Sequence, residues 1–154
     1  MEKLIDTSRS IHDKIVRVLT KKIKREEFKK IIDAGSGKTS ASLLLKYFPN
    51  AHVDAIVYPG DNRKKHPLET AIGSNRLDVI EADICKECFR KKYDFCLAHL
   101  TLGEAHNFGN HFSDLFHQLM DIKSKYFLII DILKTPLFTL DIWSNILRKK
   151  VLKF

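Results

Sequence analysis

The sequence predicts an α/β protein, a three-layer α/β/α sandwich around a mostly parallel sheet of about five strands. Three observations support this prediction. Short apolar segments alternate with amphipathic segments along the chain, which is the order of a parallel sheet covered on both faces. Segment 93–98 (YDFCLA) is nearly all apolar, as buried parallel strands are. A Gly-x-Gly turn, Gly35-Ser36-Gly37, directly follows the first apolar strand.

The elements follow one another in a regular order. The segment at about 8–23 repeats its apolar residues with helical spacing and is predicted to be a helix, on the evidence of Ile11, Ile15, Val18 and Leu19. Runs of apolar and β-branched residues predict strands at about 28–33, 52–58, 77–82, 93–98 and 126–133. Helical patterns after these strands predict helices at about 39–47, 67–72, 86–91, 107–122 and 137–149.

Length and composition predict a single domain. The chain has 154 residues, of which 44% are hydrophobic and 30% charged, as in ordinary globular proteins that bury one core. Within this domain, 1–27 is predicted to be a leading basic helical segment, 28–133 the binding core and 134–154 a C-terminal helix.

Cysteine usage and hydropathy predict a cytoplasmic protein without membrane contact. Three cysteines, an odd number, favour a reducing compartment over a disulfide scaffold. No apolar segment approaches the ~20 residues of a membrane span, and the first residues (MEKL) do not resemble a signal peptide. The pair Cys85 and Cys88 lacks the further ligands that structural zinc requires, so no metal site is predicted.

The charge is strongly basic, with a formal net charge of +8. The basic residues form clusters within 14–30, 63–65, 90–92 and 148–150. Such clusters favour contact with phosphate backbones, RNA above all. The alternative is that they are solvated helix faces and loops, since no aromatic and basic RNA-binding motif accompanies them.

Polar residues and tight turns follow several predicted strands and indicate a ligand site. Parallel sheets bind ligands at the carboxyl ends of their strands, near the point where the strand order reverses. That rule brings four segments to one crevice, namely 33–37, 58–61, 82–84 and 98–99. A backbone turn together with carboxylate acceptors suits a ligand that carries adenosine.

Two other interpretations of the Gly-x-Gly turn fail on spacing, and one stays open. A phosphate-binding P-loop ending in Gly37-Lys38-Thr39 needs a further glycine where Ile32 stands. The dinucleotide fingerprint needs a glycine where Ser40 stands. The turn could also simply connect a strand to a helix, without binding any ligand.

Four segments resemble the motifs of class I S-adenosylmethionine-dependent methyltransferases. Segment 31–37 (IIDAGSG) looks like their first motif, and 79–84 (VIEADI) is similar to the third-strand motif. Segments 93–99 (YDFCLAH) and 126–131 (YFLIID) look like their fourth and fifth strands. The resemblance covers about 28–133 and implies a Rossmann-like fold that binds S-adenosylmethionine (SAM).

The resemblance also implies roles for individual residues. In it, Asp83 lies by the adenine and His99 lies beside the transferred methyl group, where it is a candidate base; Glu104 is a second candidate. The acid that usually holds the ribose is replaced by Val57, and Asp61 is expected to substitute for it. The full set of expected cofactor contacts is Asp33, Ala34, Gly35, Ser36, Gly37, Asp61, Asp83, Ile84, Ala98 and His99.

The function implied is methyl transfer from SAM to an unidentified acceptor, with RNA favoured by charge alone. The chain ends at Phe154, before the final antiparallel strand pair usual in such proteins. The edge of strand five is therefore expected to be open to a second copy or to a partner protein. The alternative function is a non-catalytic methyltransferase fold acting as a binding or partner subunit, which the Val57 departure and the missing strands favour.

Overall fold

The computed structural model describes residues 23–36, 40–60, 75–99 and 112–130. Within them the chain forms one 3-10 turn, Arg25–Glu27, and seven longer elements. In chain order these are β1 (Lys30–Ala34), α1 (Ser40–Tyr47), β2 (His52–Val57), β3 (Leu77–Glu81), β4 (Lys92–His99), α2 (Phe112–Asp121) and β5 (Lys123–Ile130).

The five strands form one sheet in the order β3-β2-β1-β4-β5, and every neighbouring pair is parallel. The central strand β1 sets Ile32 opposite Asp54 of β2 on one side and Cys96 of β4 on the other. The chain therefore runs from β1 through β2 to the edge strand β3, and then crosses to the other side of β1 to form β4 and β5. The strand order reverses between β1 and β4, where doubly wound folds bind their ligands.

The two helices cover opposite faces of the sheet, which confirms the predicted sandwich. Ile31 of β1 packs in one apolar cluster with Leu44 of α1. The next residue, Ile32, packs in another cluster with Leu115 of α2. Alternate residues of a strand point to opposite faces, and all four of these side chains are fully buried.

Arg76 fastens the end of α1 to the start of β3. A helix leaves its last carbonyl groups without partners inside the helix, and an arginine side chain can supply the missing donors. The guanidinium group donates hydrogen bonds of 3.0–3.2 Å to the carbonyl group of Leu45 in the last turn of α1, and to those of Phe48 and Ala51 in the connection to β2. The edge strand β3 is thereby held to the layer that covers β2.

The predicted short helix at 86–91 is wrong. The backbone N–H groups of Lys86 and Glu87 both donate to the carbonyl of Asp83, at 2.9 Å, and the turn ends there. The Asp83 carboxylate accepts the N–H of Cys85 at 3.0 Å, so an Asx turn competes with helix at this point. β5 also starts three residues earlier than predicted, at Lys123, which pairs with Lys92.

Several predicted elements lie outside the described residues. They are the leading helix over most of its length, the helix at 67–72 and the C-terminal helix. Among the residues that the structure does describe, no helix is long and apolar enough to span a bilayer.

Candidate functional site

The carboxyl ends of β1, β2 and β3 are tied together by backbone hydrogen bonds. β1 ends at Ala34, and Gly35 follows with φ 82°, a left-handed conformation that glycine adopts without strain. The Ser36 N–H then donates to the Ile56 carbonyl at 2.6 Å, and the Ala82 N–H donates to Val57 at 3.0 Å. The Gly35 turn and the carboxyl ends of β1, β2 and β3 thus form one continuous edge of the sheet, which we call the rim.

Asp33 lies at the end of β1 and is completely buried. It accepts a hydrogen bond of 2.6 Å from the hydroxyl of Ser40, the first residue of α1. Burial raises the pKa of Asp33 from its ordinary 3.8 to about 6, and the nearby hydroxyls of Ser40 and Ser36 offset only part of that effect. Removal of a carboxylate from water disfavours its charged form.

Two polar atoms beside the turn have no hydrogen-bond partner among the described residues. They are Oδ1 of Asp33 and Oγ of Ser36, and both are buried. The Ser36 hydroxyl is close enough to Asp33 to favour the ionised form of that carboxyl group, but the two groups do not have the geometry of a hydrogen bond. Buried polar atoms without partners are uncommon and call for an explanation. A ligand that reaches this turn with polar groups would satisfy both atoms.

The end of β4 lies beside this turn. β4 pairs with β1 as far as Leu97, opposite Asp33, so Ala98 and His99 follow directly at the carboxyl end. Ala98 is buried, and His99 ends the strand, paired in register with Ile130 of β5. The topology therefore brings the Gly35 turn and the end of β4 to the point where the strand order reverses.

Asp83 and Ile84 follow β3 on the same side of the sheet. Ile84 is buried, and Asp83 is mostly buried by the turn that it closes. One Asp83 oxygen accepts the Cys85 N–H, and the other lies 3.0 Å from the Lys86 ammonium. This close ion pair with Asp83 raises the pKa of Lys86.

The described residues include Asp33, Ala34, Gly35, Ser36, Asp83, Ile84, Ala98 and His99 of the predicted set, and all lie at the carboxyl ends of the strands. Gly37, Asp61 and the second candidate base, Glu104, lie outside the described residues. Sequence reasoning missed Ser40 as the partner of Asp33. Its signal was modest, namely a hydroxyl at the start of the helix that follows the turn.

The arrangement suits binding and positioning. It offers a left-handed backbone turn, two buried polar atoms without partners and a strand end that carries a histidine. The acid usually expected at the end of β2 is absent. Val57 occupies that position, and its side chain is buried. The donors on this rim are chiefly backbone groups and hydroxyls, which suit the polar tail of an adenosine-bearing ligand.

Comparison with solved structures identifies the fold. The N-terminal domain of EvdMO1, solved with S-adenosylhomocysteine (SAH) bound, matches 76% of this chain with a TM-score of 0.58 and 13% identity. Coclaurine N-methyltransferase, bound to N-methylheliamine and SAH, matches 79% with a TM-score of 0.55 and 19% identity. The chain spans 48% and 34% of those two chains.

These likenesses confirm the predicted fold class, a Rossmann-like sheet of the kind found in SAM-dependent methyltransferases. The match lies in the fold, since fewer than one residue in four is identical. No protein-family model and no curated protein sequence matches the chain.

Proposed function

We propose that this domain binds SAM and transfers its methyl group. The observation that carries the proposal is the meeting of the Gly35 turn with the end of β4, where the strand order reverses. Two solved proteins with this fold hold SAH. The unpartnered Asp33 oxygen and Ser36 hydroxyl are consistent with a polar ligand at the same turn.

In this proposal the residues around the turn hold the cofactor and the end of β4 serves the reaction. SAM supplies a methyl group already activated on a sulfonium. The protein then has to position the acceptor and take up its proton. His99 is proposed as the group that takes this proton, since an imidazole titrates near neutral pH. Asp83 and Ile84 are proposed to flank the adenine, and Asp61 to bind the ribose.

RNA is the acceptor class that we propose, on charge. The net charge is +8, and basic residues form clusters within 14–30, 63–65, 90–92 and 148–150. Binding that rests on such residues releases counterions from the nucleic acid, so its affinity falls steeply as salt rises. Titration of a single-stranded RNA at increasing salt tests this part alone. Absence of binding at low salt would remove RNA and leave the cofactor proposal intact.

Calorimetric titration with SAM, SAH and ATP-Mg²⁺ tests cofactor binding. We expect micromolar binding of SAM and SAH, and none of ATP. Gly35→Ala places a side chain in a left-handed turn and should weaken SAM binding at least tenfold. Lys123→Ala, at an exposed residue that begins β5 at the amino end of the sheet, is the control and should bind SAM like the parent chain. Absence of SAM and SAH binding to the unmodified chain would contradict the proposal.

Transfer of tritium from methyl-labelled SAM to RNA tests the role of His99. His99→Ala should lower the transfer rate and leave the SAM affinity unchanged. His117→Ala, at an exposed histidine of α2, should change neither. Full activity in His99→Ala would remove the residue from the mechanism.

A second candidate function is that of a non-catalytic partner subunit. The observation that favours it is the edge strand β5, which among the described strands pairs only with β4. Tyr126 and Phe127 of this strand are 50% and 36% exposed, which is unusual for large aromatic side chains on a strand edge. We propose a second copy of the chain as the first partner to test. Light scattering should then show a dimer that Tyr126→Lys disrupts, and a monomer at all concentrations would refute the pairing.

A further inference from the structure

A group of metal-ligating side chains lies at the amino ends of β2 and β3, the end of the sheet away from the proposed cofactor site. His52 is the first residue of β2, and Asp54 follows it two positions on, on the same face. Asp78 of β3 pairs directly with Asp54 in the parallel register. The three side chains therefore converge from two neighbouring strands.

The donor atoms lie close together. Nε2 of His52 is 3.0 Å from Oδ2 of Asp78 and 3.8 Å from Oδ1 of Asp54. All three ligand atoms are within 4.8 Å of one another. Two ligands held about 2.1 Å from a tetrahedral zinc ion lie about 3.4 Å apart. The two distances from His52 bracket that value, and side-chain rotations would bring the two carboxylate oxygens to the spacing that the ion requires.

Asp54 is oriented toward this group by two other residues. Its Oδ2 accepts hydrogen bonds from the Tyr93 hydroxyl at 2.8 Å and from the Lys91 ammonium at 2.9 Å. Its Oδ1, which faces His52, takes no hydrogen bond from any described residue. The side chain is 5% exposed, and Oδ1 is not one of the fully buried atoms that lack a partner, so an ion from solvent can reach it. Because the Tyr93 and Lys91 hydrogen bonds both go to Oδ2, Oδ1 is the oxygen available as a ligand beside the imidazole.

We propose that His52, Asp54 and Asp78 bind a divalent transition-metal ion, with zinc as the best match. One imidazole nitrogen and two carboxylate oxygens are a donor set that zinc accepts, and water can fill the fourth position. Tyr93 and Lys91 act as orienting groups on the outer oxygen of Asp54, as carboxylate ligands commonly require. The Lys91 side chain is 61% exposed, so solvent screens most of its repulsion of a cation.

The role that follows is structural. β3 is an edge strand with no fully buried residue. Backbone pairing, Arg76 and the partial packing of Leu77 and Ile80 against the apolar clusters hold it to β2. A metal bound by Asp78 on β3 and by two residues of β2 would join the strands at their amino ends. Because metal binds the folded chain and not the unfolded one, it should raise the unfolding temperature.

Zinc titration of the metal-free chain tests the proposal. ZnCl₂ is added in the calorimeter, and unfolding is followed by circular dichroism with zinc and with EDTA. We expect one equivalent to bind and the unfolding temperature to rise with zinc. His52→Ala and Asp78→Asn should each weaken binding at least tenfold and abolish that rise. Both side chains are substantially exposed, and similar unfolding of each variant and the parent in EDTA would show that the fold is intact.

Two controls exclude other ligands. His117→Ala removes an exposed histidine outside the group. The double variant Cys85→Ser, Cys88→Ser removes two cysteines that form no disulfide. Both variants should bind zinc like the parent chain. The proposal is overturned by absence of zinc binding, by binding that His52→Ala leaves unchanged, or by binding that disappears with the cysteines.

Discussion

Replacement of Asp33 by asparagine should make the free energy of unfolding less dependent on pH. The carboxyl group is fully buried, and burial raises its pKa from 3.8 to about 6. The folded chain therefore holds this proton more tightly than the unfolded chain. The contribution to stability is fully present below pH 3.8 and is lost as the pH rises through 6. Asparagine keeps the shape and an oxygen for the Ser40 hydroxyl, but it does not titrate.

The size of the effect follows from the two pKa values. The rise in pKa corresponds to about 3 kcal/mol between the fully protonated and fully ionised carboxyl, at about 1.36 kcal/mol per pKa unit. At pH 5 the folded state is mostly protonated at Asp33 and the unfolded state mostly ionised. Linkage then gives the parent chain about 1 kcal/mol of extra stability at pH 5 relative to pH 8.

Urea unfolding of the parent chain and of Asp33→Asn at pH 5 and pH 8 measures this contribution. Other groups titrate alike in both proteins and cancel in the difference between them. The variant's stability relative to the parent should be higher at pH 8 than at pH 5 by about 1 kcal/mol. A difference that is the same at both pH values would refute the argument, because Asp33 would then titrate alike in the folded and unfolded chains.

Two further substitutions test how the sheet is held together. Tyr93→Phe removes the hydroxyl that donates to buried Asp54 at 2.8 Å. Because hydrogen bonds to charged groups are stronger than average, this change should lower the free energy of unfolding by about 1.5–3 kcal/mol. A urea midpoint equal to that of the parent would mean that the hydroxyl does not contribute to stability. Arg76→Gln removes the guanidinium that donates to the carbonyl groups of Leu45, Phe48 and Ala51 and should lower the free energy of unfolding by about 1–3 kcal/mol. Hydrogen exchange should then be faster in α1 and β3, whereas uniform exchange would contradict the role of Arg76.

The sheet could be predicted from the sequence because its signals are local. Continuous apolar strands such as 93–98 and the Gly-x-Gly turn after β1 each indicate structure within a few residues. The predicted helix at 86–91 failed for an equally local reason, since the Asp83 carboxylate competes for the N–H of Cys85. The start of β5 was missed because its first residues are polar and exposed at the sheet edge.

The environment of Asp33 depends on tertiary packing and could not be predicted. Asp33 shares a strand face with Ile31, the face that α1 covers, and this placement buries it beneath Ser40. A sequence shows an acid at the end of a strand, but it does not show which face the next helix will cover. The partnership of Asp54 with Asp78 was equally hidden, because it exists only once β2 and β3 pair in their observed register.

The two proposed sites lie at opposite ends of the sheet and are built from different chemical groups, so each can be tested without disturbing the other. At the carboxyl ends, the rim is built from backbone groups, hydroxyls and one buried acid with a raised pKa. At the amino ends of β2 and β3, an imidazole and two carboxylates meet, and a lysine and a phenol orient one of them. β2 contributes to both sites from opposite ends, so a metal there would stabilise the strand without touching the cofactor. Removal of zinc with EDTA should therefore lower the unfolding temperature while the affinity for SAM at low temperature stays the same. Loss of SAM affinity on zinc removal would show instead that the metal lies at the cofactor site.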